Sequence, residues 1–119
     1  MEFWSAPDET GGVTSLPGIY RFIIDESWTY IGRFTHASRP LEEYVKNVKK
    51  LMEGRPYRPQ NPEGFRAVHK ALFWAVTEQR SITLEIVENA RTEELNERER
   101  YWISKVPPEW LLNGRRTFP

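Results

Sequence analysis

Residues 18–32 read GIYRFIIDESWTYIG, and the fold turns on how this stretch pairs with itself. Ile19–Ile24 and Trp28–Ile31 are β-branched and aromatic, and the polar Asp25-Glu26-Ser27 separates them, which is the pattern of a hairpin. With Asp25–Ser27 as the loop, Ile24 faces Trp28, Phe22 faces Tyr30 and Tyr20 faces Gly32. Tyr20 and Tyr30 then share one face of the sheet as diagonal neighbours, about 7–8 Å apart at the backbone and within reach of each other's rings. Gly32, lacking a side chain, leaves open space over Tyr20 where a backbone or ligand can approach. A slip of one residue would send the two rings to opposite faces.

Outward from the hairpin, Asp8–Pro17 (DETGGVTSLP) is rich in turn formers and has no period, so residues 1–17 read as a lead-in segment. After the hairpin, Leu41, Tyr44, Val45, Val48 and Met52 recur at spacings of three and four, the signature of an amphipathic helix that Pro40 can open and Gly54 can end. Arg55–Gly64 (RPYRPQNPEG) carries three prolines and is a loop. Phe65, Val68, Leu72 and Val76 mark a second helix, and Ile82, Leu84 and Ile86 alternate as a third strand. Thr92 can cap a last helix whose face is Leu95, Glu99, Trp102, Ile103 and Val106, stopped by Pro107-Pro108. The order β-β-α-α-β-α, with three strands, predicts an α+β fold: a small antiparallel sheet flanked by helices, in one domain spanning residues 1–119.

The chain has no cysteine, so no disulfide can form. No apolar run follows Met-Glu-Phe-Trp-Ser and no stretch is long enough for a membrane span, so the expectation is a soluble, cytoplasmic protein without a signal peptide. The 17 basic and 17 acidic residues cancel, which argues against a strong nonspecific polyanion binder. Their distribution is uneven. Residues 31–80 hold ten bases and five acids, whereas residues 1–30 hold one base and five acids. The basic centre, with Lys46, Lys49, Lys50, Arg55, Arg58 and Arg66, is either an ordinary solvated face or a phosphate footprint.

Glu99, in NERERYWI, falls on the stripe that the last helix should bury. A carboxylate taken into an apolar face is costly unless it is paired or bound to a metal; an arginine partner is the structural alternative. His69 lies four residues from both Phe65 and Phe73 on the second helix, as a core-edge histidine or a phosphate contact would. His36 is expected in an exposed loop.

Together these stretches resemble the GIY-YIG nuclease family. The match rests on Gly18-Ile19-Tyr20, Tyr30-Ile31-Gly32, an arginine soon after, a basic helix, Glu99 in ERERYWI, and the asparagine of WLLNG, in order along most of the chain. The resemblance implies a metal-dependent endonuclease that hydrolyses DNA phosphodiesters to 5′-phosphate and 3′-hydroxyl ends. By it, Tyr20 acts as general base or orients the water, Tyr30 helps to position nucleophile and phosphate, and Glu99 holds one divalent cation, Mg²⁺ or Mn²⁺. Arg39, with Arg33 as the second candidate, would stabilise charge on the phosphate. Asn113 matches the asparagine near the family's metal site, and Tyr44 matches a third tyrosine of the repair members.

A phenol is a poor base at its ordinary pKa of about 10 and needs cations nearby, a field that Arg33, Arg39 and the metal are expected to supply. Mg²⁺ suits a site with so few ligands because it keeps several waters. The basic stretch would grip the nucleic-acid backbone without reading sequence. DNA is the expected partner and RNA the rival, and a second copy or a targeting partner would extend the small recognition surface. The alternative is a nucleic-acid- or partner-binding module that keeps the fold without turnover.

Overall fold

A computed structural model of the chain describes residues 3–36 and 38–119, except for the side chains of Ser38 and Arg39. The fold is α+β, a three-stranded antiparallel sheet with helices on both faces. Strands β1 (Gly18–Ile24) and β2 (Trp28–Phe34) form the hairpin, with Tyr20 opposite Gly32, Phe22 opposite Tyr30 and Ile24 opposite Trp28, as the alternation requires. The turn is tight. Asp25 and Glu26 take left-handed φ values of 55° and 59°, and the Ser27 N–H donates to the Ile24 carbonyl at 3.2 Å, the geometry that matches the twist of the strands it joins.

Helices α1 (Ser38–Met52) and α2 (Ala67–Thr77) follow, and the chain returns as β3 (Ile82–Asn89) on the other side of β1, giving the order β2-β1-β3. A bulge between Ile19 and Tyr20 shifts the β1–β3 register, so that Ile19 faces Glu88 and Tyr20 faces Ile86. A short 3₁₀ turn (Thr92–Glu94) leads into α3 (Leu95–Ser104), and a second one spans Pro108–Trp110.

Strand alternation divides the core between the two faces. Tyr20, Phe22 and Ile24 pack with Tyr44 and Val48 of α1 and with Val68 and Leu72 of α2. On the other face, Ile19, Ile31 and Leu95 form a smaller cluster edged by Trp102, Ile103 and Val106. α3 is held on that face by Glu88, whose Oε1 accepts from Arg98 Nε at 2.6 Å and from Trp102 Nε1 at 2.7 Å. Each edge of the sheet carries an isolated bridge, which shortens the open row of backbone groups that invites edge pairing. Asp8 bridges to β3 beside Glu85, and Leu111 bridges to β2 beside Thr29.

Four local expectations are corrected. Met52 is 48% exposed, and Asn47 takes a place on the buried stripe of α1 at 5% exposure because it pairs with His69 of α2. Phe65 is buried but precedes α2, whose N-cap is Arg66. Thr92 does not cap the last helix: it opens the 3₁₀ turn, capped instead by Arg91, whose N–H meets Glu94 Oε1 at 3.3 Å. Val106 lies beyond the end of α3 yet still packs against it. Among the described residues no helix is long and apolar enough to cross a membrane.

Candidate active site

The hairpin register brings three phenols together. Tyr20 from β1, Tyr30 from β2 and Tyr44 from α1 stand with ring centroids 6.0–6.4 Å apart in every pairing. Gly32 is what permits it: a Cβ there would overlap the Cζ and hydroxyl of Tyr20. Gly18, at the start of β1, meets a comparable limit, since its Cβ would lie 2.5 Å from the backbone oxygen of Glu88. The two glycines of the opening motif therefore admit close neighbours, one a ring and the other a strand backbone.

The three tyrosines have different environments. Tyr20 is 3% exposed and its hydroxyl meets that of Tyr44 at 2.5 Å. Burial, with Tyr30 adding, holds the Tyr20 hydroxyl well above the usual phenol range, against the opposing pull of the Tyr44 hydrogen bond and the Arg66 charge. Tyr44 is raised by burial in the same way. Both are neutral phenols. Tyr30 is half-buried, and its hydroxyl accepts a hydrogen bond from Arg66 Nη1 at 3.1 Å.

Arg66 also lies over the Tyr30 ring, with its guanidinium carbon 5.8 Å from the centroid. Burial works against its charge, but the phenolic oxygens of Tyr30, Tyr44 and Tyr20 outweigh that, and its pKa lies above the ordinary arginine value. Tyr30 and Arg66 line a cleft of about 340 Å³ together with Glu99, Asn113, Arg115 and Arg116. Glu99 is half-buried, and among the described residues no Lys, Arg or His lies within ion-pair distance of it. Its carboxylate thus shares a concave, cation-rich space with one phenol.

Other expected site residues stand elsewhere or are already engaged. Arg33 points to the α3 face, exposed, and donates from Nη1 to Asn96 Oδ1 at 3.2 Å. Arg39 lies in the first turn of α1 by its backbone, and its side chain lies outside the described residues. Asn113 uses both ends of its amide on one strand residue, accepting from the Ile31 N–H at 2.9 Å and donating to the Ile31 carbonyl at 2.7 Å. It acts as a one-residue extension of the ladder and fixes the segment that carries Arg115 and Arg116.

His69 is 2% exposed. Its Nδ1 accepts from the Arg66 N–H at 3.1 Å, so the neutral ring carries its proton on Nε2 and donates it to the Asn47 amide 3.3 Å away, which accepts once turned to bring its oxygen, rather than Nδ2, toward the ring. Burial, aided by the Arg66 charge, lowers its pKa to about 3, and neither nitrogen is free. His36 is exposed, as expected.

The basic stretch divides. Lys50, Arg58 and Arg66 line a second, larger cleft between α1 and α2, whereas Lys46 and Arg55 pair on the surface with Glu43 at 3.6 Å and Glu53 at 2.8 Å. Lys49 is exposed in the last turn of α1, where a cation complements the helix dipole. Arg66, expected only as a backbone grip, stands instead at the centre, and Arg115 and Arg116 were missed. Their position directly after Asn113-Gly114 is the signal that could have pointed to them.

Among the described residues no three His, Cys, Asp or Glu side chains gather into a metal-binding cluster. What the cleft offers is one carboxylate without an ion-pair partner, which fits a hard cation that keeps most of its waters and does not fit a cation that demands a full protein cage. Compared with known protein families, curated proteins and solved structures, the chain matches none.

Proposed function

We propose that the chain is an intracellular metal-dependent endonuclease acting on DNA, with its site in the cleft between β2, α2 and α3. The observation that carries this reading is the meeting of the Glu99 carboxylate, the Tyr30 phenol and the Arg66 guanidinium in one cleft, with Arg115 and Arg116 beside them. A site with an excess of cations around a lone carboxylate suits an anionic substrate that a second cation must bridge to the protein.

Glu99 would hold the Mg²⁺ or Mn²⁺, which supplies polarisation of the phosphoryl oxygen and a water acidic enough to protonate the leaving O3′. Arg66, Arg115 and Arg116 would neutralise the charge that grows on the phosphate as the attacking oxygen adds. Tyr30 would act in its phenolate form, which Arg66 stabilises from 3.1 Å away, orienting the attacking water and taking up its proton to end as a neutral phenol. Water adds to phosphorus, the P–O3′ bond breaks, and the products are a 5′-phosphate and a 3′-hydroxyl. Tyr20 and Tyr44, buried and bonded to each other, are positioning residues that fix the wall against which Tyr30 stands.

The test is nicking of supercoiled plasmid by purified protein with Mg²⁺ or Mn²⁺, run beside Glu99→Ala and beside excess chelator. Relaxed circles with ligatable ends, lost in both controls, support the reading; metal-dependent nicking that survives Glu99→Ala overturns the site. Binding without nicking by the native chain would favour a module without turnover, a reading to which the buried, neutral Tyr20 phenol lends some support. Parallel reactions on labelled RNA and DNA separate those substrates.

A further inference from the structure

Apart from Arg66 and Tyr44, the residues that line the larger of the two clefts have no part in the chemistry just described. This cleft holds about 610 Å³ between α1, the 55–64 loop and the start of α2, and Arg66 is the wall it shares with the smaller cleft. Lys50, Arg58 and Arg66 line it, and among the described residues none of the three is in an ion pair. Glu43, the carboxylate in its lining, pairs with Lys46 at 3.6 Å. His69 contributes a neutral ring, so the net charge of the lining is positive.

An aromatic surface accompanies that charge. Tyr57 borders the cleft with its ring edge-on to Phe65 at 5.2 Å and 5.8 Å from His69, while the Arg58 guanidinium carbon and the Lys50 ammonium lie 5.1 and 6.0 Å from its centroid. The loop beneath is built to stay in place. Tyr57 N–H donates to the Pro62 carbonyl at 3.1 Å, and Lys50 Nζ donates to the Tyr57 carbonyl at 2.8 Å, tying the loop to α1. Aromatic rings beside cations that are in no ion pair, in a concave space, are the combination that binds single-stranded nucleic acid, a base displacing the cations that lie over the Tyr57 ring and those cations turning to the phosphate.

We propose that this cleft takes one unstacked nucleotide of a single strand, the neighbour of the phosphate that lies against Arg66 in the smaller cleft. The volume falls within the range of about 300–1,000 Å³ typical of small-ligand sites, suited to a nucleotide but not to a duplex, whose bases stay stacked and would offer only backbone. The substrate class is therefore a single-stranded, frayed or branched segment. The position of the nucleotide relative to the scissile bond rests on the nuclease reading; the binding itself does not.

The test is fluorescence anisotropy of a labelled twelve-residue thymidylate strand, the corresponding uridylate strand and a twelve-pair duplex, all in excess chelator so that no turnover occurs. At least one single strand should bind more tightly than the duplex. Tyr57→Leu should weaken that binding about five- to a hundred-fold, the range for loss of one base–aromatic stack. The exposed Arg58→Gln, which leaves the loop's backbone bonds intact, should weaken it and lower its salt dependence, while the distant Arg91→Gln should leave it unchanged. Native-like affinity in both Tyr57→Leu and Arg58→Gln, or a duplex bound as tightly as either strand, overturns the proposal. If the variants lose binding while the plasmid assay shows no nicking, the cleft assignment stands and the nuclease reading falls. If nicking occurs and the variants bind normally, only the cleft assignment falls.

Discussion

Arg66 Nη1 donates to the Tyr30 hydroxyl at 3.1 Å, joining the start of α2 to the middle of the edge strand across the cleft that Glu99 lines. This contact brings into the cleft an arginine from a helix some thirty residues beyond the hairpin flank that carries Arg33 and Arg39.

If that cation serves the reaction, Arg66→Gln and Tyr30→Phe should each lower kcat about 10²- to 10³-fold, the usual cost of removing one group that stabilises transition-state charge. Because the two act on one oxygen, the double variant should be far less damaged than the product of the single losses. Arg33→Gln, on the opposite face, should stay within a few-fold of the native rate. Plasmid nicking rates measure all four.

The pairing of Tyr20 with Tyr44 predicts a stability coupling. Tyr20→Phe and Tyr44→Phe each remove a buried hydroxyl's partner and should each cost about 1–2 kcal/mol in urea unfolding. The double variant removes both hydroxyls together and should cost less than the sum, with a coupling of about 1 kcal/mol. Strict additivity would mean that the two oxygens do not depend on each other.

Gly32→Ala places a methyl where the Tyr20 ring now lies. The ring has no room to retreat, since Phe22, Phe34 and Tyr44 surround it with centroids 6.0–6.3 Å away. Overpacking of this kind costs about 1–3 kcal/mol, so thermal unfolding should shift down while the fold persists. Nicking should fall more steeply than stability alone explains, because Tyr30 stands against the displaced ring.

His69 predicts an acid-sensitive fold. Its folded pKa of about 3 lies below the 6.5 of the unfolded chain, so the unfolded state takes up the proton first. Stability is complete above pH 6.5 and falls as pH drops toward 3, by up to about 1.4 kcal/mol per unit. The carboxylates whose pKa is lowered by hydrogen bonds, Asp8, Glu9 and Glu94, keep their stabilising effect down to about pH 4.5 and add to the decline only below it. Urea midpoints should therefore already decline between pH 6.5 and 5, and His69→Gln should flatten that window while starting from a lower stability at pH 7.

The hairpin was legible because strand alternation has a period of two and its turn lies where the polar residues are, so every pairing from Ile24 with Trp28 to Tyr20 with Gly32 follows from one choice of loop. The spacing of Glu99 between Leu95 and Trp102 pointed to a buried stripe, whereas of α3 only Leu95 is buried and Glu99 is half-exposed at the edge of the cleft. Arg66 was not legible, because its reach to Tyr30 depends on how α1 and α2 pack on the sheet, which no local spacing records. Asn47 misled for a related reason: a polar residue enters the buried stripe only because a histidine on another helix satisfies it. Asn113 was found by motif, yet its amide engages the Ile31 backbone, a role that becomes visible only once β2 is known to be an edge strand.

In the proposed site a carboxylate from α3 and a phenol from β2 face one ion. Anomalous diffraction from crystals soaked in Mn²⁺ tests it without reference to turnover. A single strong peak is expected about 2.0–2.2 Å from a Glu99 carboxylate oxygen, inside the cleft that Tyr30 and Arg66 line, and should be lost in Glu99→Gln. A well-occupied peak away from Glu99, or no peak at saturating Mn²⁺, would contradict this placement of the ion.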